Sequence, residues 1–321
     1  MEGEPVDRRG LLRDMFRQAR AMVIPAIASG ALPAGATVGG RRSGLPESPA
    51  TAAQLRTAAV ELGLGSRAGA AERLVRCSLR LAATPQGVPG DVAFGGPALM
   101  SEGSRWPSWQ GRPLTLLAQV ETGRPLGRLL FFYDAVGRPT GCLAAHRGSA
   151  CVLQANELPR SPREGPAMPM AAVPGALASE LVLPGVSSPP VRALGLTPAE
   201  QEAWKALRER LAEIQGGEPA DRPGAGFTVV HRIFGYPDTA DTEMGLTCEL
   251  AGAGEDVIEG RAHVHPRAGE LGGRAERWEL LAQLSWDGKL SWPWAAQRIY
   301  FWTDRDALAS GVLGETWAIA R

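Results

Sequence analysis

Five residues, Leu-Leu-Ala-Gln-Val at Leu116–Val120, return almost unchanged as Leu-Leu-Ala-Gln-Leu at Leu280–Leu284, and they do not return alone. Phe94-Gly95-Gly96-Pro97 precedes the first copy and Leu129-Leu130-Phe131-Phe132-Tyr133-Asp134 follows it. Phe234-Gly235-Tyr236-Pro237 precedes the second copy, and Arg298-Ile299-Tyr300-Phe301-Trp302-Thr303-Asp304 follows it. Three elements in the same order, separated by unequal insertions, are the signature of a duplicated supersecondary unit.

Each element has a physical reading. The Phe-Gly-X-Pro stretch is a turn that delivers the chain into a sheet, and the other two are short strands rich in branched and aromatic residues. Gly123 and Gly127, and Asp287-Gly288 in the second copy, supply turns between paired strands. The strands are almost continuously apolar, which predicts burial on both faces. The expected fold class is therefore α+β: mainly antiparallel β built from two similar halves, about 76–155 and 227–321, with amino-terminal and central helices. Gln119 and Gln283 sit inside these strands and are expected to satisfy backbone groups at the join between halves.

The helices are read from caps and periodicity. Leu12, Met15, Phe16, Ala19, Met22 and Val23 share one face of an amino-terminal helix, with Arg9, Arg13, Arg17 and Arg20 on an adjacent stripe until Pro25. Arg8-Arg9 is similar to a twin-arginine export signal, but charges interrupt the segment where such a signal is apolar. The helix offers a surface for its own domain, a partner or a membrane. A second helix is expected over Pro49–Leu62, capped by Ser48 and closed by Gly63, and a third over Gly69–Val75. Residues 1–75 thus read as a helical, Ala/Gly/Pro-rich extension to a main domain at 76–321. Between the halves, after a Pro-rich run, Thr197-Pro198-Ala199-Glu200 forms a capping box, and Ala203, Trp204, Leu207, Leu211 and Ile214 follow on one helical face, expected to lie on the sheet.

Composition removes several function classes. With 34 basic and 34 acidic side chains the net charge is zero, so nothing global favours nucleic acid. Cys77, Cys142, Cys151 and Cys248 form no CxxC pair, which argues against a zinc knuckle or a disulfide scaffold. No apolar run is long enough to span a bilayer as a helix. No nucleophile elbow, Walker loop or dinucleotide fingerprint is present, and no cofactor is implied.

From about Val75 to Arg321 the chain resembles the YwqG-like family, a bacterial domain of unknown function. The resemblance rests on Gly95-Gly96-Pro97, Trp106-Pro107, Pro113-Leu114 with Leu117-Ala118-Gln119, and Gly127 through Asp134. In the second half it rests on His231-Arg232 with Gly235-Tyr236-Pro237, Trp278 through Gln283, Ile299 to Trp302, and Thr316-Trp317. The family's Gln after the second turn is missing across Asp238 to Asp241, and its WGDAG is replaced by Trp292-Pro293-Trp294-Ala295-Ala296. The resemblance implies a duplicated α+β domain of the bacterial cytoplasm and no established activity.

Three local constellations carry chemistry. His263-Val264-His265 would present two imidazoles on one face if extended, with His231, Cys248 or Glu243 as further metal ligands. Asp238, Asp241 and Glu243 could gather around calcium but lack the spacing of a calcium hand. Trp286, Trp292 and Trp294 form either a platform or core. The leading expectation is a non-catalytic binding or protein-interaction protein with an unidentified protein or peptide partner. Its site would be a groove between halves lined by Trp106, Trp109, His231, Asp238, Asp241 and Glu243. The alternative is a metal-dependent hydrolase using the His and carboxylate set.

Overall fold

The computed structural model of the chain describes residues 49–83, 91–123, 126–155, 160–166, 170–214, 229–239, 243–290, 292, 298–311, 313 and 315–321. The amino-terminal helix, Ser48, Asp241 and Trp294 lie outside these residues. The chain divides into two compact units. One holds the described residues up to Leu79 and those within Ala178–Thr228 and Asp238–Ala240. The other holds Arg80–Leu177, Val229–Pro237 and Asp241–Arg321.

In the first unit, α1 (Pro49–Glu61) ends where Gly63 turns left-handed at φ +95°, a conformation open to glycine. Leu55 and Ala59, one turn apart, bury against Leu64 and the small face of α2 (Ala68–Leu74), where Ala68, Ala70 and Ala71 allow close approach. A short α3 (Pro189–Arg192) adds Val191 to the same core. The capping box of α4 (Pro198–Ile214) forms as the sequence predicts. The Glu200 carboxylate accepts from the Thr197 N–H at 2.8 Å and its hydroxyl at 2.9 Å, and the Glu200 N–H donates back to Thr197 at 3.3 Å. Trp204, fully buried, packs with Leu55, Ala59, Leu64, Ala71, Leu181 and Leu183. This face of the central helix thus meets the sheet, through Leu181 of the strand at Val173–Val182, and the helices before residue 75 close the same core, which the sequence did not indicate.

The strands in chain order are β1 (Arg76–Ala83), β2 (Val92–Phe94), β3 (Ala98–Ser101), β4 (Ser108–Trp109), β5 (Arg112–Pro113), β6 (Thr115–Glu121) and β7 (Arg128–Tyr133). They continue as β8 (Ala150–Ala155), β9 (Arg160–Arg163), β10 (Val173–Val182), β11 (His231–Ile233), β12 (Trp278–Ser285), β13 (Arg298–Asp304) and β14 (Thr316–Ala320). Ten of them form one large sheet, nearly closed into a barrel, in the order β14-β13-β12-β11-β1-β10-β2-β6-β7-β8. The fold is α+β and mainly antiparallel.

Two meanders, β2-β6-β7-β8 and β11-β12-β13-β14, run outward from the central β1 and β10. Their ladders coincide residue for residue. Leu116 faces Phe132 and, after a bulge, Ala118 faces Phe131. Leu280 faces Trp302 and, after a bulge at the same place, Ala282 faces Phe301. Phe94 pairs with Ala118 as Ile233 pairs with Ala282, and Val152 pairs with Phe131 as Ala318 pairs with Phe301. The leading strands are exchanged. β1 precedes the first meander in sequence yet neighbours β11, and β10 precedes the second yet pairs with β2.

The ladder corrects one alignment made on sequence. The Gly95 N–H donates to Leu117 at 2.9 Å and the Phe234 N–H to Leu281 at 3.0 Å, so Phe234 is the counterpart of Gly95, not of Phe94. Both turns use two consecutive left-handed residues, Gly95-Gly96 (φ +64° and +72°) and Phe234-Gly235 (φ +62° and +80°). A Cβ on Gly95 would stand 2.8 Å from the Met170 Cβ, which explains glycine there. Phe234 takes the strained conformation as a buried aromatic.

The outer face of each meander is covered differently. Leu116, Leu130 and Phe132 lie under Ala98, Met100 and Leu114, with Trp106 and Trp109 packed against them. The corresponding Leu280, Tyr300 and Trp302 lie under Met244, Cys248 and Ala251 of α5 (Met244–Gly252). On the inner faces, the equivalent Phe131 and Phe301 meet edge to face with centroids 5.2 Å apart. At the far ends of the sheet, Gln154 of β8 donates its amide to the Gly311 carbonyl at 2.7 Å and accepts the Leu313 N–H at 2.8 Å, just before β14.

Candidate functional site

The residues singled out on sequence fall in separate places. Trp106 donates its indole N–H to the Leu114 carbonyl at 2.8 Å and sets its ring edge-on to Phe132 at 5.2 Å. Trp109 ends β4 at the turn of the β4-β5 hairpin, beneath the Arg112 guanidinium 5.7 Å from its ring centroid. Both tryptophans cover the first meander, which makes them packing residues before anything else. His231 is buried in the second meander, and Asp238, also buried, belongs to the other compact unit. Asp241 is outside the described residues. Glu243 precedes α5 and binds His263 twice, Oε1 to Nδ1 at 2.5 Å and Oε2 to the backbone N–H at 3.1 Å.

The extended His-Val-His face does not form. Ala262–Val264 is a 3-10 turn, so His263 and His265 diverge. His263 goes to Glu243, while His265 stands 3.7 Å from Glu255. Glu255 in turn holds Arg267 at 2.7 Å, and Arg267 also forks onto Glu270. These pairs tie the connection after α5 together. Among the described residues no group of three or more His, Cys, Asp or Glu is placed to hold a metal ion. Gln119 and Gln283 do satisfy backbone groups, but within their own halves: Gln119 bridges the Pro97 carbonyl and the Leu99 N–H, and Gln283 donates to Val230.

Three features escaped the sequence reading. The first is a matched pair of aspartates. Asp134 accepts the N–H groups of Val136 and Gly137, and Asp304 those of Asp306 and Ala307, with the same spacing from the ladder. Asp134 is buried and ion-paired with Arg112 at 2.8 Å, whereas Asp304 caps a short helix, α7 (Arg305–Ser310), after a one-turn α6 (Ala268–Leu271) earlier in the chain. Only the recurrent Asp after each aromatic block signalled them.

The second is a buried polar cluster around His231. Its Nδ1 accepts the Ser285 N–H at 3.3 Å, and its Nε2 lies 3.8 Å from the Asp287 carboxylate. Phe94 and Trp292 flank the ring, with centroids at 4.7 and 6.4 Å. Burial pushes the imidazole below its ordinary pKa, with Asp287 pulling it partly back. The His231 N–H facing Asp287, and the Lys289 N–H bonded to it at 3.0 Å, hold that carboxyl below its usual range.

The third is a group of exposed aliphatic side chains. Ile258 is 67% exposed, Val264 61% and Leu143 39%. The Val257 N–H donates to the Cys142 carbonyl at 2.7 Å and the Ala144 N–H to Asp256 at 2.9 Å, which sets Leu143 beside Ile258. Arg261 bonds back to Ile258 and Val264 back to Arg261, which puts Val264 two turns on from Ile258 along the same connection. Single exposed apolar residues are ordinary; here three lie on two segments that these bonds hold together.

No helix among the described residues is long and apolar enough to cross a membrane. Residues 93–319 match the model of a family described as a domain of unknown function, DUF1963. No curated protein matches the chain.

Proposed function

We propose, from the premise that this chain belongs to the DUF1963 family, a domain of unknown function, that it is a non-catalytic protein-binding module built on a duplicated domain. The observation that carries the binding reading is the aliphatic patch of Leu143, Ile258 and Val264. On this reading Arg147, Glu259, Arg261 and His263, all with exposed side chains, supply the polar border of an apolar interface centre. Its occupant on this reading is a protein segment presenting aliphatic side chains flanked by charges of both signs. The duplication is supported by the coincident ladders and by the contact of Phe131 with its counterpart Phe301. A bacterial, cytoplasmic setting belongs to the same proposal.

The test is a double substitution, Ile258→Glu with Val264→Glu. Because both side chains are exposed, the variant should melt as the parent does. A partner that the parent retains in quantitative pull-down from the native organism should bind the variant at least about tenfold more weakly. Equal retention of every partner by parent and variant would remove the patch from consideration. The hydrolase alternative would regain ground if the purified protein carried stoichiometric zinc or manganese that His263→Ala released.

A further inference from the structure

The polar cluster of the second meander has no counterpart in the first. Continuing the shared register, His231 occupies the position of Val92, and Asp287 that of Gly123. The same four-stranded ladder therefore forms without an imidazole or a carboxylate at these places. The pair is an addition to the architecture rather than a requirement of it.

The geometry around the ring accepts one protonation state. His231 is 2% exposed, and Nδ1 accepts a backbone N–H, so the ring proton sits on Nε2. That N–H has no hydrogen-bond partner among the described residues, and Asp287 at 3.8 Å is beyond hydrogen-bond reach. A second proton would have to go on Nδ1, where it would point at the Ser285 N–H only 3.3 Å away. Two donors would then face each other in a site too dry to screen them.

We infer that His231 is an acid-responsive switch in the second meander, and that its protonation displaces the turn at Asp287 and the ring's contact with Trp292. The charged group acting on the imidazole from the described residues is Asp287, while β12 presents the Ser285 backbone, β2 presents Phe94, and the connection presents Trp292. Lys289 acts one step removed, through Asp287. On proton uptake the ring loses its bond to Ser285 and gains a reason to close on the carboxylate, since a charge-assisted bond needs a separation well under 3.8 Å. Asp287 sits in a hydrogen-bonded turn, its carbonyl accepting the Leu290 N–H at 2.8 Å, with Gly288 beside it. That turn can swing toward β11 without breaking the β12-β13 ladder, and the ring's move changes its contact with Trp292, whose centroid is 6.4 Å away.

The direction is fixed by burial. The folded imidazole gives up its proton more readily than the unfolded one, so stability is full above the ordinary value of 6.5 and declines as pH falls below it. The decline levels off once the folded imidazole is itself protonated.

The experiment is a titration of the full chain from about pH 8 to pH 5, followed by tryptophan fluorescence, the Ser285 amide resonance and far-ultraviolet circular dichroism. A fluorescence step and a Ser285 shift with a common midpoint below 6.5, at constant secondary structure, are expected. His231→Val, which installs the residue type of the first meander, should abolish both. His231→Gln, which keeps an acceptor and does not titrate, gives the same answer if the valine variant fails to fold. Asp287→Asn should move the midpoint to lower pH. Identical titrations of parent and His231→Gln, an unmoved Ser285 amide, or a single global unfolding step would each overturn the switch.

Discussion

The first meander is covered by two tryptophans and two small two-stranded sheets, β3-β9 and β4-β5, and the second, at the same ladder positions, by one helix. What the two regions share lies close to the backbone: a bulge one residue into the repeated strand, a left-handed pair at the turn, and an aspartate that collects two N–H groups after the aromatic block. What they do not share is everything packed on top. A meander thus specifies how strands pair, while its lid is free to be rebuilt as long as Leu, aromatic and Met side chains fill the space. The polar cluster at His231, and Ile258 and Val264 beyond α5, lie in the second half, where the cover is a helix.

The equivalence of the inner faces is the most exposed to failure. Phe131→Ala and Phe301→Ala should each cost about 3–5 kcal/mol in urea unfolding, and the double variant should fall short of additivity by about 1 kcal/mol because the rings touch. Strict additivity would mean that the two faces do not meet. At the turns, Gly95→Ala should cost about 2–3 kcal/mol, combining a left-handed alanine with a Cβ forced onto Met170. A neutral result would show that the two left-handed pairs are not equally constrained. The aspartates should separate the halves more gently. Asp134→Ala leaves Arg112 without its buried partner and should cost about 2 kcal/mol, while Asp304→Ala removes a helix cap and should cost about 1 kcal/mol. The reverse ranking would put the heavier duty on the second half.

The ladders were legible because repeated apolar strands have few ways to pair, and the bulge is carried by the same Leu-Leu-Ala-Gln string in both copies. The capping box of α4 was legible because its four residues are adjacent. The one-residue offset at Phe234 was not, since similarity of letters favoured Phe94 over Gly95, and a left-handed phenylalanine leaves no mark in a sequence. The partnership of α1 and α2 with Trp204 was hidden for another reason: contacts between segments more than a hundred residues apart follow from which apolar faces lack cover elsewhere. Of the expected site, Trp106, Trp109, His231 and Glu243 proved to be near structured polar or aromatic groups but not near one another as a set. His231 was named without its neighbour Asp287, which read only as a turn residue. Leu143, Ile258 and Val264 gave no signal, as exposure of an aliphatic side chain is a property of the folded chain.

The amide of Gln154 that joins the two ends of the sheet spans 157 residues to Gly311 and 159 to Leu313. Closing so long a loop is entropically costly, and contacts of this separation are reached late in folding. During synthesis the first meander emerges whole, yet β8 must wait with an open edge until Thr316–Ala320 has left the ribosome. The sheet in its finished form offers little edge for another chain to join, but the half-made molecule has one for as long as it takes to translate the second half. The window of greatest vulnerability to aggregation is therefore set by translation speed between β8 and β14, and slowing it should raise demand for chaperones without any change in the stability of the completed fold.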